Sequence, residues 1–208
     1  MTRPKFPIET IRRLPLYLRC FNRLIVLGKD TLTSKELAEF LEVNPGQIRK
    51  DFSYFGDFGT RGVGYDLREL VKEIRSILRM DRDWNIAIAG IGNIGNALLD
   101  HINFNQPGFR IVCAFDQDPS LVGTNVRGVN VHSLEEIEET LDGQTVPLGV
   151  LAVSDVDARE VAEKFVGGGV KGIINITPIC LNMSEEIEIV HMDLSSELGR
   201  LVYQLEND

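Results

Sequence analysis

The sequence predicts an α/β protein of two domains: a small basic domain of helices with one hairpin, then a parallel, doubly wound sheet. Three observations predict it. Helical periodicity dominates residues 8–80, and short apolar runs alternating with helices dominate from Trp84 onward. The charge also changes sign between the two parts. Residues 1–80 hold 15 Lys and Arg against 10 Asp and Glu, a net of +5, whereas residues 81–208 hold 7 against 21, a net of −14. A basic block joined to an acidic remainder predicts that only the first block meets a polyanion. A chain of 208 residues that is 43% hydrophobic supplies two small cores.

The first domain, residues 1–82, opens with an amphipathic helix over 8–28. Ile11, Leu14, Leu18, Phe21 and Ile25 recur at helical spacing, Pro15 is expected to kink the helix or delay its start, and Gly28 ends it. Thr33 and Glu36 form a capping box for a second helix that buries Leu37, Phe40 and Leu41. Asn44 caps a third helix with Pro45 at its first position, and Ile48, Phe52 and Phe55 form its apolar face. The glycine-rich run 56–65 reads as a hairpin with a tight basic tip. Asp66 and Glu69 start a fourth helix, with Leu67, Leu70, Val71, Ile74, Ile77 and Leu78 buried.

The second domain, residues 83–192, is expected to place strands at 86–89, 110–115, 148–153, 172–176 and 188–191. Ser133 with Glu136 caps a helix reaching Leu141, and another helix runs through Val166. A final segment, 193–208, is a helix starting at Asp193 or Ser195. Its stripe of Leu194, Leu198, Leu201, Val202 and Leu205 must bury itself on its own domain or on a partner subunit.

Two constellations carry chemistry. Gly90-Ile91-Gly92-Asn93-Ile94-Gly95 follows a strand and opens a helix, as a Rossmann dinucleotide site requires. Gly90 permits the tight turn, Gly92 lets the backbone approach a pyrophosphate, and Gly95 lets helix and strand pack closely. Asp116 ends the next strand, where an acid bonds the adenosine ribose hydroxyls and repels the 2′-phosphate of NADP, so the cofactor read here is NAD(H). The second constellation is the helix-turn-helix of residues 33–55 with its hairpin, a winged helix. Its third helix turns Gln47, Arg49, Lys50, Ser53 and Tyr54 away from the core, toward bases and phosphates of double-stranded DNA, and Arg61 sits at the wing tip.

The exclusions narrow the function. About 90 residues follow Asp116, and strands and a helix consume them, which leaves no substrate domain. His101, His132 and His191 form no catalytic or metal set, and Cys20, Cys113 and Cys180 form no Cys-x-x-Cys pair. No catalytic residue is assigned, and the chain is not expected to be an enzyme. No run of 18 apolar residues exists, and no apolar core follows the basic N-terminus, so the expected location is cytoplasmic with no membrane contact. The alternatives are a small NAD-dependent oxidoreductase with an appended basic domain, and a repressor with an altered nucleotide response.

Several stretches resemble the Rex family of redox-sensing transcriptional repressors. They are Tyr17-Leu18-Arg19, the run from Asn44 to Gly56, Arg61-Gly62-Val63-Gly64-Tyr65, the glycine loop, Phe115-Asp116-Gln117-Asp118-Pro119 and Lys171-Gly172-Ile173-Ile174-Asn175. The resemblance implies a homodimer whose C-terminal helix is swapped onto the partner. It also implies binding to an inverted-repeat operator, released by NADH and favoured by NAD⁺. An Arg, a Tyr and an Asp that couple ligand to dimer state fall at Arg19, His101 and Asp193, so the Tyr is replaced. Ser154 and Cys180 are the other departures from the family pattern, standing where it has Pro and Arg.

Overall fold

The computed structural model describes residues 6–41, 43–56, 59–60, 64–105 and 108–207. Its contacts divide into two compact units, residues 1–82 and 83–208. In the first unit, α1 (Ile8–Val26), β1 (Thr31–Leu32), α2 (Ser34–Leu41), α3 (Pro45–Ser53), β2 (Gly59–Thr60), β3 (Gly64–Asp66) and α4 (Leu67–Ile77) surround one core. The strands form a small antiparallel sheet ordered β1-β3-β2. Tyr17, Phe21, Leu37, Ile48, Phe52, Leu67, Leu70 and Ile74 are at most 2% exposed and lie in that core.

The local chemistry sets the element ends. Thr33 N–H donates to Glu36 Oε2 at 2.8 Å while Glu36 N–H donates to Thr33 Oγ1 at 3.2 Å, a reciprocal capping box. Those bonds hold the Glu36 carboxyl down to about 2, the Thr33 backbone N–H being the main cause. Asn44 Oδ1 accepts from Gly46 N–H ahead of α3, and Asp66 Oδ1 accepts from Arg68 and Glu69 N–H ahead of α4.

Some expectations are corrected. Pro15 lies inside α1, which begins at Ile8 and is not divided there. Phe40, expected in the core, is 56% exposed, with Lys29 Nζ 5.9 Å from its ring centre. The third helix ends at Ser53, and Phe55 is buried from the turn that follows. β1 is an additional strand, two residues long and recruited by β3.

A buried polar knot joins α1 to α3. The Asp51 carboxylate is fully buried and accepts from Arg13 Nε at 2.7 Å, Arg13 Nη2 at 2.8 Å, Tyr17 OH at 2.7 Å, Thr10 Oγ1 at 3.0 Å and Gln47 Nε2 at 2.9 Å. Burial alone would raise the Asp51 carboxyl, but the bonds from Arg13, Tyr17, Gln47 and Thr10 outweigh it and hold the carboxyl below its usual range. Thr10, Arg13 and Tyr17 are spaced three and four apart, so one face of α1 presents all three.

In the second unit, β4 (Trp84–Ala89), α5 (Asn93–Asn105), β5 (Phe109–Asp116), β6 (Asn125–Val126), β7 (Val129–Ser133), α6 (Ile137–Leu141), β8 (Leu148–Leu151), α7 (Ala158–Gly167), β9 (Gly172–Asn175), β10 (Glu188–His191) and α8 (Leu194–Asn207) follow in order. The sheet runs β10-β9-β8-β4-β5-β7-β6, parallel except for the β6–β7 hairpin. Alternation along β4 fills two cores: Ile86 and Ile88 face one side with Leu99 and Val131, and Ala87 and Ala89 face the other with Phe115 and Phe165. A one-residue slip opposite Ile86 and Ala87 puts a bulge in β5.

The β6–β7 hairpin is unexpected from sequence. Arg127 (φ 53°) and Gly128 (φ 85°) both adopt left-handed backbone, as a two-residue primed turn demands. β8 stops at Leu151, two residues before the expected end at Val153. The apolar stripe of α8 is exposed on this chain, with Leu194 73% and Leu205 72% accessible.

Replacing Asp51 with Ala should leave Arg13 and Tyr17 without their shared acceptor and destabilise the first unit by roughly 3 kcal/mol. Urea unfolding followed by circular dichroism measures this. In the wild type the same contribution should be complete above about pH 4, where the unfolded carboxyl is ionised. It should be lost as the pH falls through the lower folded value, so acid weakens the first unit.

Candidate functional site

A candidate nucleotide cleft lies at the carboxyl ends of β4, β5 and β8, where the strand order reverses about β4. It has a volume of about 150 Å³ and is lined by Gly90, Gly92, Asp116, Leu134, Ser154 and Asp157, among others. Gly90 has φ +91°, and a Cβ there would strike the Ala152 carbonyl. A Cβ on Gly95 would strike the Gly90 carbonyl, so the protein's own packing requires both glycines.

Gly92 differs. It lies outside the left-handed region, and a Cβ there would meet nothing within 4 Å. The chain does not need glycine at 92 for itself; a backbone approached closely by a pyrophosphate does. Ile91 is buried, Asn93 begins α5, and Ile94 is 56% exposed. The first turn of α5 brings backbone N–H groups to the cleft, able to donate to phosphate oxygens. The residues present fit a dinucleotide.

Asp116 is 9% exposed and already partly engaged. Its Oδ2 accepts from Ile91 N–H at 2.6 Å and its Oδ1 from Asp118 N–H at 2.9 Å. The carboxylate thus braces the glycine loop and keeps lone pairs on both oxygens for a ribose diol. Ser154 donates to Asp157 Oδ2 at 2.6 Å on the opposite wall. Ser154 lines this cleft, whereas His101 and Cys180 do not.

His101 lies elsewhere. It lines a separate apolar groove of about 480 Å³ with Ile86, Leu98, Phe109, Val150 and Val190. Cys180 is exposed after β9. Burial pushes the Cys113 thiol up to about 12 and also raises Cys20. Asp193 caps α8, accepting from Ser195 N–H at 2.9 Å and Ser196 Oγ at 2.6 Å. Arg19 is exposed on α1, in the other unit.

On α3, Arg49, Lys50, Ser53 and Tyr54 are exposed. Arg49 Nη1 donates to Ser34 Oγ at 3.3 Å, and Ser53 Oγ donates to the Lys50 carbonyl at 2.7 Å. Gln47 is half-buried and donates to Asp51. Arg61 lies outside the described residues. Asp51, the hub behind this face, was missed by sequence reasoning. Its signal was an acid within an otherwise basic helix, opposite three donors at helical spacing.

Among the described residues, no group of three His, Cys, Asp or Glu is placed to hold a metal, and no helix is long and apolar enough to cross a membrane. A family model described as "CoA binding domain" matches residues 81–179, and one described as "Putative DNA-binding protein N-terminus" matches residues 5–53. The chain is 42% identical over 204 residues to a redox-sensing transcriptional repressor Rex from Geobacillus kaustophilus, covering 98% of this chain and 95% of the relative. It is 40% identical over 208 residues to the Rex repressor of Levilactobacillus brevis, covering 100% and 98%. The chain belongs to the Rex family.

Solved Rex-family structures share the fold. The complex of the repressor RSP with β-NAD⁺ and operator DNA superposes with a TM-score of 0.88 at 33% identity, covering 97% of this chain and 93% of that one. The RSP complex with β-NADH gives 0.86 at 31% identity, covering 97% and 95%. Rex proteins are named as repressors, which sets aside the oxidoreductase alternative.

The two loop glycines should separate by experiment. Gly95→Ala should cost about 1–3 kcal/mol of stability through its backbone collision. Gly92→Ala should change stability by no more than about 0.5 kcal/mol yet weaken NADH binding at least roughly tenfold. Thermal unfolding and calorimetric titration measure the two effects.

Proposed function

We propose that this chain is a cytoplasmic, homodimeric repressor that binds an inverted-repeat operator through α3 and the β2–β3 hairpin. Its operator affinity falls when NADH occupies the cleft at residues 90–95 and Asp116, and NAD⁺ permits DNA binding. One observation carries this reading: the fold matches one repressor captured in two complexes, with NAD⁺ and operator DNA and with NADH.

The chain's residues supply the parts. The amides of the glycine loop and of the first turn of α5 receive the pyrophosphate, and Asp116 accepts from the adenosine ribose. Arg49, Lys50 and Arg61 meet phosphates or guanine edges, and Gln47, Ser53 and Tyr54 add polar contacts. The exposed stripe of α8 supports a dimer in which this helix packs on the partner. Arg19, His101 and Asp193 then contribute to coupling at the dimer, although Asp193 also caps α8. Residues 1–82, 83–192 and 193–208 serve as DNA-binding, nucleotide-binding and dimerisation segments. A nucleotide shifts the DNA-competent population only by binding the two dimer arrangements with different affinity.

Operator affinity, measured by fluorescence anisotropy, should fall about tenfold or more at saturating NADH and recover when NAD⁺ displaces it. Unchanged affinity at saturating NADH would sink the redox reading and leave the DNA reading standing. Asp116→Ala should weaken NADH binding and move the NADH-to-NADPH affinity ratio toward one. A ratio equal to that of the wild type would remove Asp116 from the ribose role, whatever happens to overall affinity.

A further inference from the structure

We infer that Gln47 reads an exocyclic base amine in the major groove with its side-chain carbonyl, and that the buried Asp51 is the positioning residue that turns that carbonyl outward. The inference rests on the reading of α3 as the DNA-contacting helix and deepens it. It starts from one hydrogen bond, Gln47 Nε2 to Asp51 Oδ1 at 2.9 Å.

A glutamine amide has a donor end and an acceptor end, and a free one turns either toward a base. Gln47 is not free. Asp51 forms an ion pair with Arg13 and is therefore a carboxylate, which only accepts. The amide end 2.9 Å from it must be the NH₂, and the carbonyl points the other way.

The carboxylate cannot swivel to release it. Oδ2 is held by Arg13 Nε and Tyr17 OH, and Oδ1 by Arg13 Nη2 and Thr10 Oγ1. Gln47 and Asp51 lie four residues apart, on one face of the helix. Among the described residues the Gln47 carbonyl has no hydrogen-bond partner.

Position decides what the carbonyl meets. Gln47 is the third residue of α3, and the N-terminal residues of a recognition helix are the ones that reach base edges. A fixed acceptor there pairs with adenine N6 or cytosine N4, the two amines of the major groove. It opposes guanine O6 and thymine O4, which are acceptors themselves.

The test uses full-length protein without NADH and the inverted-repeat duplex that the wild type selects from random-sequence DNA. Each adenine and cytosine of one half-site is replaced singly by purine or pyrimidin-2-one, which lack the amine. At one base the wild type should lose about tenfold in affinity, and Gln47→Met, which keeps the side-chain length without hydrogen bonding, should lose nothing there. Asp51→Asn frees the amide and should relax discrimination of the amine-bearing base over its carbonyl counterpart there, adenine over guanine or cytosine over thymine, to less than about threefold, with its salt dependence unchanged. If Asp51→Asn does not fold, the Gln47→Met comparison decides alone. Equal losses in wild type and Gln47→Met at every base overturn the inference, as does a Gln47-dependent loss found only with 7-deazaadenine. Wild-type protein that selects no duplex overturns the repressor reading along with it.

Discussion

The first unit depends on one carboxylate with five donors. Asp51 is fully buried in α3, the helix proposed to face DNA, and α1 supplies Thr10, Arg13 and Tyr17 to it. A buried charge is tolerated only when paired and hydrogen-bonded, so this arrangement is close to all-or-none. It fixes α3 against α1 more tightly than apolar packing alone, because hydrogen bonds have direction and Leu–Phe contacts do not. A DNA reader needs that: side chains on α3 reach base edges only if the helix axis is held. The aromatic cluster of Tyr17, Phe21 and Phe52, with ring centres 5.5–6.4 Å apart, lies directly beside the knot and excludes water from it.

The second unit rests on a different constraint, the close approach of backbone to backbone. Gly90 faces the Ala152 carbonyl, Gly95 faces the Gly90 carbonyl, and Asp116 ties the loop to the end of β5. The loop is therefore shaped by its neighbours before any ligand arrives. Gly92 is free of that packing, which leaves room for the phosphates of the proposed ligand. The two units thus solve a common problem, holding a polar site rigid, by charge in one case and by the absence of side chains in the other.

Much of this was legible in the sequence because local chemistry determines it. The boxes Thr33–Glu36 and Ser133–Glu136 and the caps Asn44 and Asp66 all form as their residue types require. The glycine loop and Asp116 meet at one cleft for the same reason. What escaped depends on tertiary context. β1 and β6 are two residues long, too short for any period, and Arg127 takes a left-handed turn position that normally signals itself with Asn or Gly. Phe40 matched the helical stripe, yet no neighbour covers it fully. Asp51 reads from sequence as one more solvated charge, because burial of an acid depends on partners 34 to 41 residues away. His101 lines an apolar groove on the sheet, apart from the glycine-loop cleft, a placement no sequence period predicts.

The cleft's own construction limits what it can sense. In the proposed function the glycine loop and Asp116 address phosphates and a ribose, and those groups are identical in the oxidised and reduced dinucleotide. The difference between the two forms is one hydride and one positive charge, both on the nicotinamide ring. The best-built part of the site therefore acts as a clamp blind to the quantity being measured. A clamp built this way would set how much total dinucleotide is needed for occupancy. The redox signal must enter at the far end of the ligand, through groups that distinguish a cationic flat ring from a neutral puckered one.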